Sequence, residues 1–170
     1  MIYWDMYKHE TGFQFLMAAT EKGLCFTGSD GQGVEELVAW VNKKRKGAPV
    51  EQNAEQLAQY KEAFDAFFAK QSTELTFPID VTGTPFQMEV WQALQAIPFG
   101  ELCSYGEIAQ RIGKPTAVRA VGGAIGANPV MIVVPCHRVI GKNGTLTGFR
   151  GGLQLKERLL QFEKGAQWLK

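Results

Sequence analysis

Two helix starts are written out in full in the second half of this chain, and they constrain its fold more than any other feature. In Thr84-Pro85-Phe86-Gln87, Thr is the cap, Pro suits the first helical position and Gln stands three residues after the cap. Phe86, Val90 and Leu94 then line one face until Pro98-Phe99-Gly100 ends the helix. Ser104-Tyr105-Gly106-Glu107 is a second capping box, opening a short helix through Arg111 that stops at Gly113. After Lys114-Pro115, Thr116 is expected to cap a third helix, Ala117–Gly126. Two short helices joined by a tight Gly-containing turn form a helix-turn-helix pattern. Beyond it the sequence predicts a buried strand over Val130–Val134, a hairpin turn at Lys142-Asn143-Gly144, and a closing helix Leu153–Phe162. That helix turns Leu155, Leu159, Leu160 and Phe162 inward.

The first half has a different character. Ile2–Lys8, Phe13–Ala19 and Leu24–Thr27 read as an antiparallel meander. Val34, Leu37, Val38 and Val41 follow at helical spacing, and the helix ends in Lys43–Lys46 before Gly47. A second helix is predicted from about Ala54 to Lys70, with Leu57, Tyr60, Phe64 and Phe67/Phe68 buried; a strand-like Leu75–Val81, interrupted by Pro78, links the halves. The fold class is therefore α+β. An N-terminal domain (residues 1–77) has a small antiparallel sheet with helices. A mostly helical C-terminal domain (78–170) holds the helix-turn-helix and a short strand and turn. There is no internal repeat and no low-complexity segment.

With 170 residues and 45% apolar content, the chain can bury a sizeable core without staples. Val130–Val134 is as long as any unbroken apolar stretch in the chain, far short of the ~20 residues that span a bilayer, so no membrane association is expected. MIYWDMYKHE lacks the pattern of a signal peptide, and three unclustered cysteines argue for a reducing, cytoplasmic location. Charge is uneven: residues 1–77 carry 8 Lys/Arg against 11 Asp/Glu, and residues 78–170 carry 10 against 6. A polyanion, if one binds, meets the second half.

Pro135-Cys136-His137-Arg138-Val139 is the segment richest in chemistry. A Cys beside a His is a candidate thiolate nucleophile, although a buried Cys can equally behave as a small hydrophobe. On an extended strand, neighbours point to opposite faces, so a bridging water is the expected proton path between Cys136 and His137. His137 needs an acid to hold its tautomer, and Glu157 and Glu163 are the local candidates. Cys25 and Cys103 read as structural. His9 with Cys25 is too little for a zinc site, and no metal is expected. Lys43–Lys46 reads as a solvated helix end. The glycines at 122, 123 and 126 fall inside a helix and form no phosphate loop. Ala117-Val118-Arg119-Ala120-Val121-Gly122-Gly123-Ala124 carries almost nothing to read base edges. Its small residues suit close approach to a sugar-phosphate surface, with Arg119 as a wedge beside an extruded base. They suit a tightly packed core helix equally well.

Taken together, Pro135–Val139, Arg119–Ala124, Asn128-Pro129, Gly151-Gly152-Leu153 and Lys156-Glu157 resemble the O6-alkylguanine-DNA alkyltransferases over about residues 78–164. The resemblance implies that Cys136 takes the alkyl group from O6 of a flipped guanine, once and irreversibly, with no cofactor. It implies His137 as base through water, Glu163 as its orienting acid, and Asn128 as the brace of the preceding turn. Tyr105 would hydrogen-bond the base edge and help rotate the phosphate. The carbonyls of Cys136 and Val139 would receive the guanine amino group, the Arg150 N–H would face O6, and Phe149 would form an aromatic wall. Ala117, Val118, Ala120 and Gly122 would line the contact with duplex DNA in the minor groove, with Arg119 as the intercalating finger, and the protein would act as a monomer. Phe149 departs from the Tyr of many relatives, and Arg150 stands where a small residue is frequent. The competing reading is a non-catalytic alkyltransferase-like protein that marks the lesion; these commonly carry Trp in place of the nucleophile, and this chain has Cys136.

Overall fold

A computed structural model describes residues 1–144, 146 and 148–165. The chain divides into two compact units, Met1–Val81 and a second beginning at Thr82. The first contains a four-stranded sheet in the order β3-β2-β1-β4. Its strands are β1 (Ile2–Lys8), β2 (Gln14–Thr20), β3 (Gly23–Thr27) and β4 (Val50–Gln52). The meander β1-β2-β3 is antiparallel, and β4 adds to β1 in parallel, so the sheet is mixed. Residues 78–80 are fixed to β3: the Leu24 N–H donates to Pro78 O at 3.0 Å and the Asp80 N–H to Leu24 O at 2.7 Å. The segment over 75–81 thus makes one isolated bridge, not a strand.

Helix α1 (Val34–Lys44) buries Leu37 and Val41, but Val38 is exposed. Helix α2 (Ala54–Phe68) buries all five predicted positions, and Asn53 caps it by accepting from the Gln56 N–H. Phe13, Phe15, Phe64 and Phe68 pack with Tyr7 as one aromatic cluster.

In the second unit, α3 (Pro85–Gln95) and α4 (Tyr105–Arg111) start at the expected capping boxes, with both reciprocal hydrogen bonds formed in each. Gly113, at φ +73°, makes the turn that leads towards α5 (Val118–Gly126). Thr116 does not cap that helix. The helix starts one residue later than expected, after a tight turn closed by the Ala117 N–H on Lys114 O, so Ala117 is its N-cap, and alanine has no side-chain oxygen to accept a capping bond. Trp91 ties α3 to α5, its indole N–H donating to Ala124 O at 2.8 Å.

Val130–Val134 is not a strand. It is a buried turn closed by the Val134 N–H to Val130 O at 3.0 Å, with Ile132 at φ +79°. A β-branched residue in the left-handed region stores strain of the order of 1–3 kcal/mol, so other bonds must hold it. Cys136–Arg138 forms a single 3₁₀ turn, and β6 (Val139–Ile140) pairs in parallel with β5 (Cys103–Ser104). Gly144, at φ +77°, closes the predicted Lys142–Gly144 turn with its N–H on Gly141 O. The strand before that turn, β6, pairs with β5; Thr145 and Thr147, where the second arm of the hairpin would begin, lie outside the described residues. Helix α6 (Leu153–Lys164) buries Leu155, Lys156, Leu159 and Leu160, while Phe162 is only half-buried, edge-on to Phe99.

Candidate active site

The turn carrying Cys136 is built by Asn128. Its side-chain amide donates to Val134 O at 2.9 Å, and its side-chain oxygen accepts from the Val130 N–H at 3.0 Å. Those two bonds do for the turn what a neighbouring strand would have done, and they let Ile132 keep its left-handed backbone. Pro135 then leads into the 3₁₀ turn, where Cys136 is 3% exposed and His137 is fully buried. Adjacent residues in such a turn lie about 120° apart, not on the opposite faces of a strand.

Of the two carboxylates offered by the sequence, Glu163 meets His137. His137 Nε2 lies 2.6 Å from Glu163 Oε2. Arg138 donates to the same carboxylate from Nε (2.7 Å) and Nη2 (2.9 Å), and from Nη1 to Ile97 O (2.6 Å). The Gly100 N–H adds a long bond to Glu163 Oε1 at 3.4 Å. Burial alone would raise the Glu163 pKa, but His137 and Arg138 bring it down to about 2. An ionised carboxylate only accepts hydrogen bonds, so Nε2 must carry the proton of this bond. In the neutral ring Nδ1 is then the lone-pair nitrogen, and it is buried with no hydrogen-bond partner among the described residues.

The sulfur sits in a mixed field. Burial pushes the Cys136 thiol up, while the Asn128 amide and the charges of Arg150 and Lys156 pull it down. Lys156 is 1% exposed. Burial lowers its pKa to about 8, with Cys136 acting the other way, and its ammonium lies 6.0 Å from the centre of the Phe149 ring. Arg138 and Lys156 were given no role by sequence reasoning. For Lys156 the signal was present: four residues before Leu160, it lies on the inward stripe of α6. Arg138 carried no comparable signal, because its partner Ile97 is 41 residues away.

The remaining predicted positions fall around this centre. Val139 follows the 3₁₀ turn, and its N–H donates to Cys136 O, which keeps a second lone pair free. Phe149 packs where a Cβ on Gly151 would come within 2.7 Å of its ring. Tyr105 begins α4 and faces α5 near Gly122, where a Cβ would lie 3.9 Å from the Tyr105 ring. Val118, Arg119 and Ala120 are exposed and Ala117 is half-buried. A Cβ at Gly123 or Gly126 would meet nothing within 4 Å, so core packing does not require glycine there. Cys25 and Cys103 are buried with thiols pushed up by burial, Cys25 to about 12.

Residues 2–81 match the family described as 6-O-methylguanine DNA methyltransferase, ribonuclease-like domain, and residues 85–165 match 6-O-methylguanine DNA methyltransferase, DNA binding domain. The chain belongs to the 6-O-methylguanine DNA methyltransferase family. It is 46% identical over 165 residues to the inducible methylated-DNA–protein-cysteine methyltransferase of Bacillus subtilis, covering 97% of this chain and 92% of that one. The Salmonella typhimurium methylated-DNA–protein-cysteine methyltransferase is 67% identical over 81 residues, 48% of this chain and 47% of its own length. Among solved structures, Mycobacterium tuberculosis OGT in complex with DNA superposes with a TM-score of 0.80 at 38% identity, covering 95% of this chain and 92% of that chain. Both halves of the chain thus fall within the family, with the Cys136 centre inside its DNA binding domain.

Proposed function

We propose that Cys136 is the residue onto which this protein transfers the alkyl group of O6-alkylguanine in duplex DNA. The protein is a DNA repair methyltransferase that moves an alkyl group from methylated DNA to one of its own cysteines. One observation carries the choice of cysteine: His137, next to Cys136, is held by Glu163 through Nε2, and its buried Nδ1 has no hydrogen-bond partner among the described residues. Nδ1 takes the thiol proton, through one bridging water. The thiolate attacks the sp3 carbon on O6; the S–C bond forms as the C–O bond breaks, and the C–O electron pair stays on the base. The relayed proton ends on guanine, leaving neutral guanine and a thioether. Nothing here hydrolyses a thioether, so each molecule reacts once, and no cofactor takes part.

Asn128 braces the turn under the sulfur. Val139 and Cys136 offer carbonyls to the guanine amino group, the Arg150 N–H faces O6, and Phe149 walls the pocket. Tyr105 contacts the base edge. The exposed face of α5, with Ala117, Val118, Ala120 and Gly122 around Arg119, lies against the minor groove. Core packing does not require glycine at positions 123 and 126, and one Arg on this helix is too little to read a major groove. Arg119 fills the space of the flipped guanine, at a cost of a few kcal/mol of unstacking that it partly offsets. Nucleophile, base and orienting acid come from one unit of one chain, which fits a monomer working in the reducing cytoplasm. The test is radiolabelled transfer from duplex O6-methylguanine, with the labelled peptide identified by mass spectrometry. One methyl per chain on Cys136 is expected; label on another residue, or repeated turnover, overturns the assignment.

A further inference from the structure

We infer that the Arg150 side chain is a positioning residue for transfer: it ties the loop carrying Phe149 to the turn carrying Asn128, the brace of the Cys136 turn. The inference rests on Cys136 being the acceptor. Arg150 is half-buried, and its guanidinium spans two successive carbonyls, Nε to Asn128 O and Nη2 to Pro129 O, each at 3.3 Å. Asn128 is therefore held from both ends. Its side chain fixes the Val130–Val134 turn that delivers Cys136, and its carbonyl is held by the pocket loop. Moving the loop moves the brace of the nucleophile. Only a planar fork reaches both carbonyls while keeping its charge; an ammonium supplies the charge but a single point of contact.

The charge has a second effect. Arg150 favours the thiolate of Cys136, as does Lys156 from α6, against the cost of burial. The other charged or titratable groups of this centre are His137 and Arg138 on the 3₁₀ turn and Glu163 on α6, and these are tied to one another. Arg150 and Lys156 are thus the cations that bear on the sulfur. Removing Arg150 leaves Lys156 alone, with a depressed pKa of its own, so the thiolate loses support most strongly above neutral pH.

The test uses the full chain with Arg150→Lys and Arg150→Met. The first readout is the pH profile of Cys136 alkylation by iodoacetamide between pH 6 and 10, quantified on the Cys136 peptide. The second is the rate of methyl transfer from an O6-methylguanine duplex. Arg150→Met is expected to move the alkylation midpoint up by about half a unit to one unit and to slow transfer about 5- to 30-fold. Arg150→Lys is expected to bring the midpoint back close to wild type while transfer stays slow. An unmoved midpoint in Arg150→Met overturns the charge role, and full recovery of transfer in Arg150→Lys overturns the clamp. If Arg150→Met fails to fold, Arg150→Lys still decides the clamp, and Arg150→Gln takes over the pH profile. Wild-type label on a residue other than Cys136 removes the acceptor assignment; wild-type label on Cys136 with unchanged variants removes only the role of Arg150.

Discussion

Replacing Glu163 by Gln removes the charge at the centre of the His137–Arg138 network, and the structure sets the size of the effect. The folded-state pKa, about 2 against 4.5 for a free side chain, lies below the unfolded value. At intermediate pH the unfolded chain therefore binds the extra proton, and stability rises with pH. The contribution is fully present above about pH 4.5 and is lost as pH falls towards 2. At about 1.36 kcal/mol per pH unit the drop amounts to about 3 kcal/mol. The Glu163 side chain is 1% exposed, so solvent screening takes little from that figure. About half of it is gone by pH 3, from the same relation. Urea unfolding followed by tryptophan fluorescence measures it, in a background where Trp4, Trp40 and Trp168 are Phe. Trp91, buried against Ala124 O in the second unit, is then the sole reporter. The wild-type background should lose about 1.5–2 kcal/mol more than the Glu163→Gln protein between pH 6 and pH 3. At pH 6 the variant should be less stable by about 3 kcal/mol or somewhat more, since Arg138 is left buried without its counter-charge. Parallel losses with falling pH in the two proteins would refute the reasoning, because the acid sensitivity would then come from other groups.

Cys136→Ala should abolish methyl transfer while duplex affinity in a gel-shift titration stays within about threefold, since most affinity resides in phosphate contacts. Arg119→Ala should slow transfer from duplex DNA by ~5- to 150-fold while leaving transfer from free O6-benzylguanine nearly unchanged; equal slowing on both substrates removes the finger role. Asn128→Ala leaves Val130 N–H and Val134 O buried without their partner, so the second unit should lose about 2–4 kcal/mol in the same urea assay; a loss under 1 kcal/mol would show that the turn holds itself. Gly123→Ala faces open space within a helix. It should stabilise the fold by about 0.5–1 kcal/mol and yet weaken duplex binding, whereas unchanged binding would place DNA elsewhere than on α5.

The amino-acid sequence by itself determined what depends on neighbours a few residues away. The boxes at Thr84 and Ser104, the stripe of α2, the stripe of α6 as far as Leu160 and the strands of the meander formed, because capping bonds and helical or alternating periodicity are local. The identity of the reactive segment was legible too, since Cys136 and His137 are adjacent. Tertiary structure decided the rest. An apolar run such as Val130–Val134 carries no mark that separates a buried strand from a buried turn; the Asn128 side chain chose the turn by supplying the bonds a sheet would have made. The polar, three-residue β4 had no periodicity to show, and exists because the edge of β1 was open to it. The choice of Glu163 over Glu157 and the reach of Arg150 to Asn128 and Pro129 each join residues at least 20 apart in the chain. Such contacts depend on how α6 and the pocket loop close over the Cys136 turn, and no local preference encodes that closure.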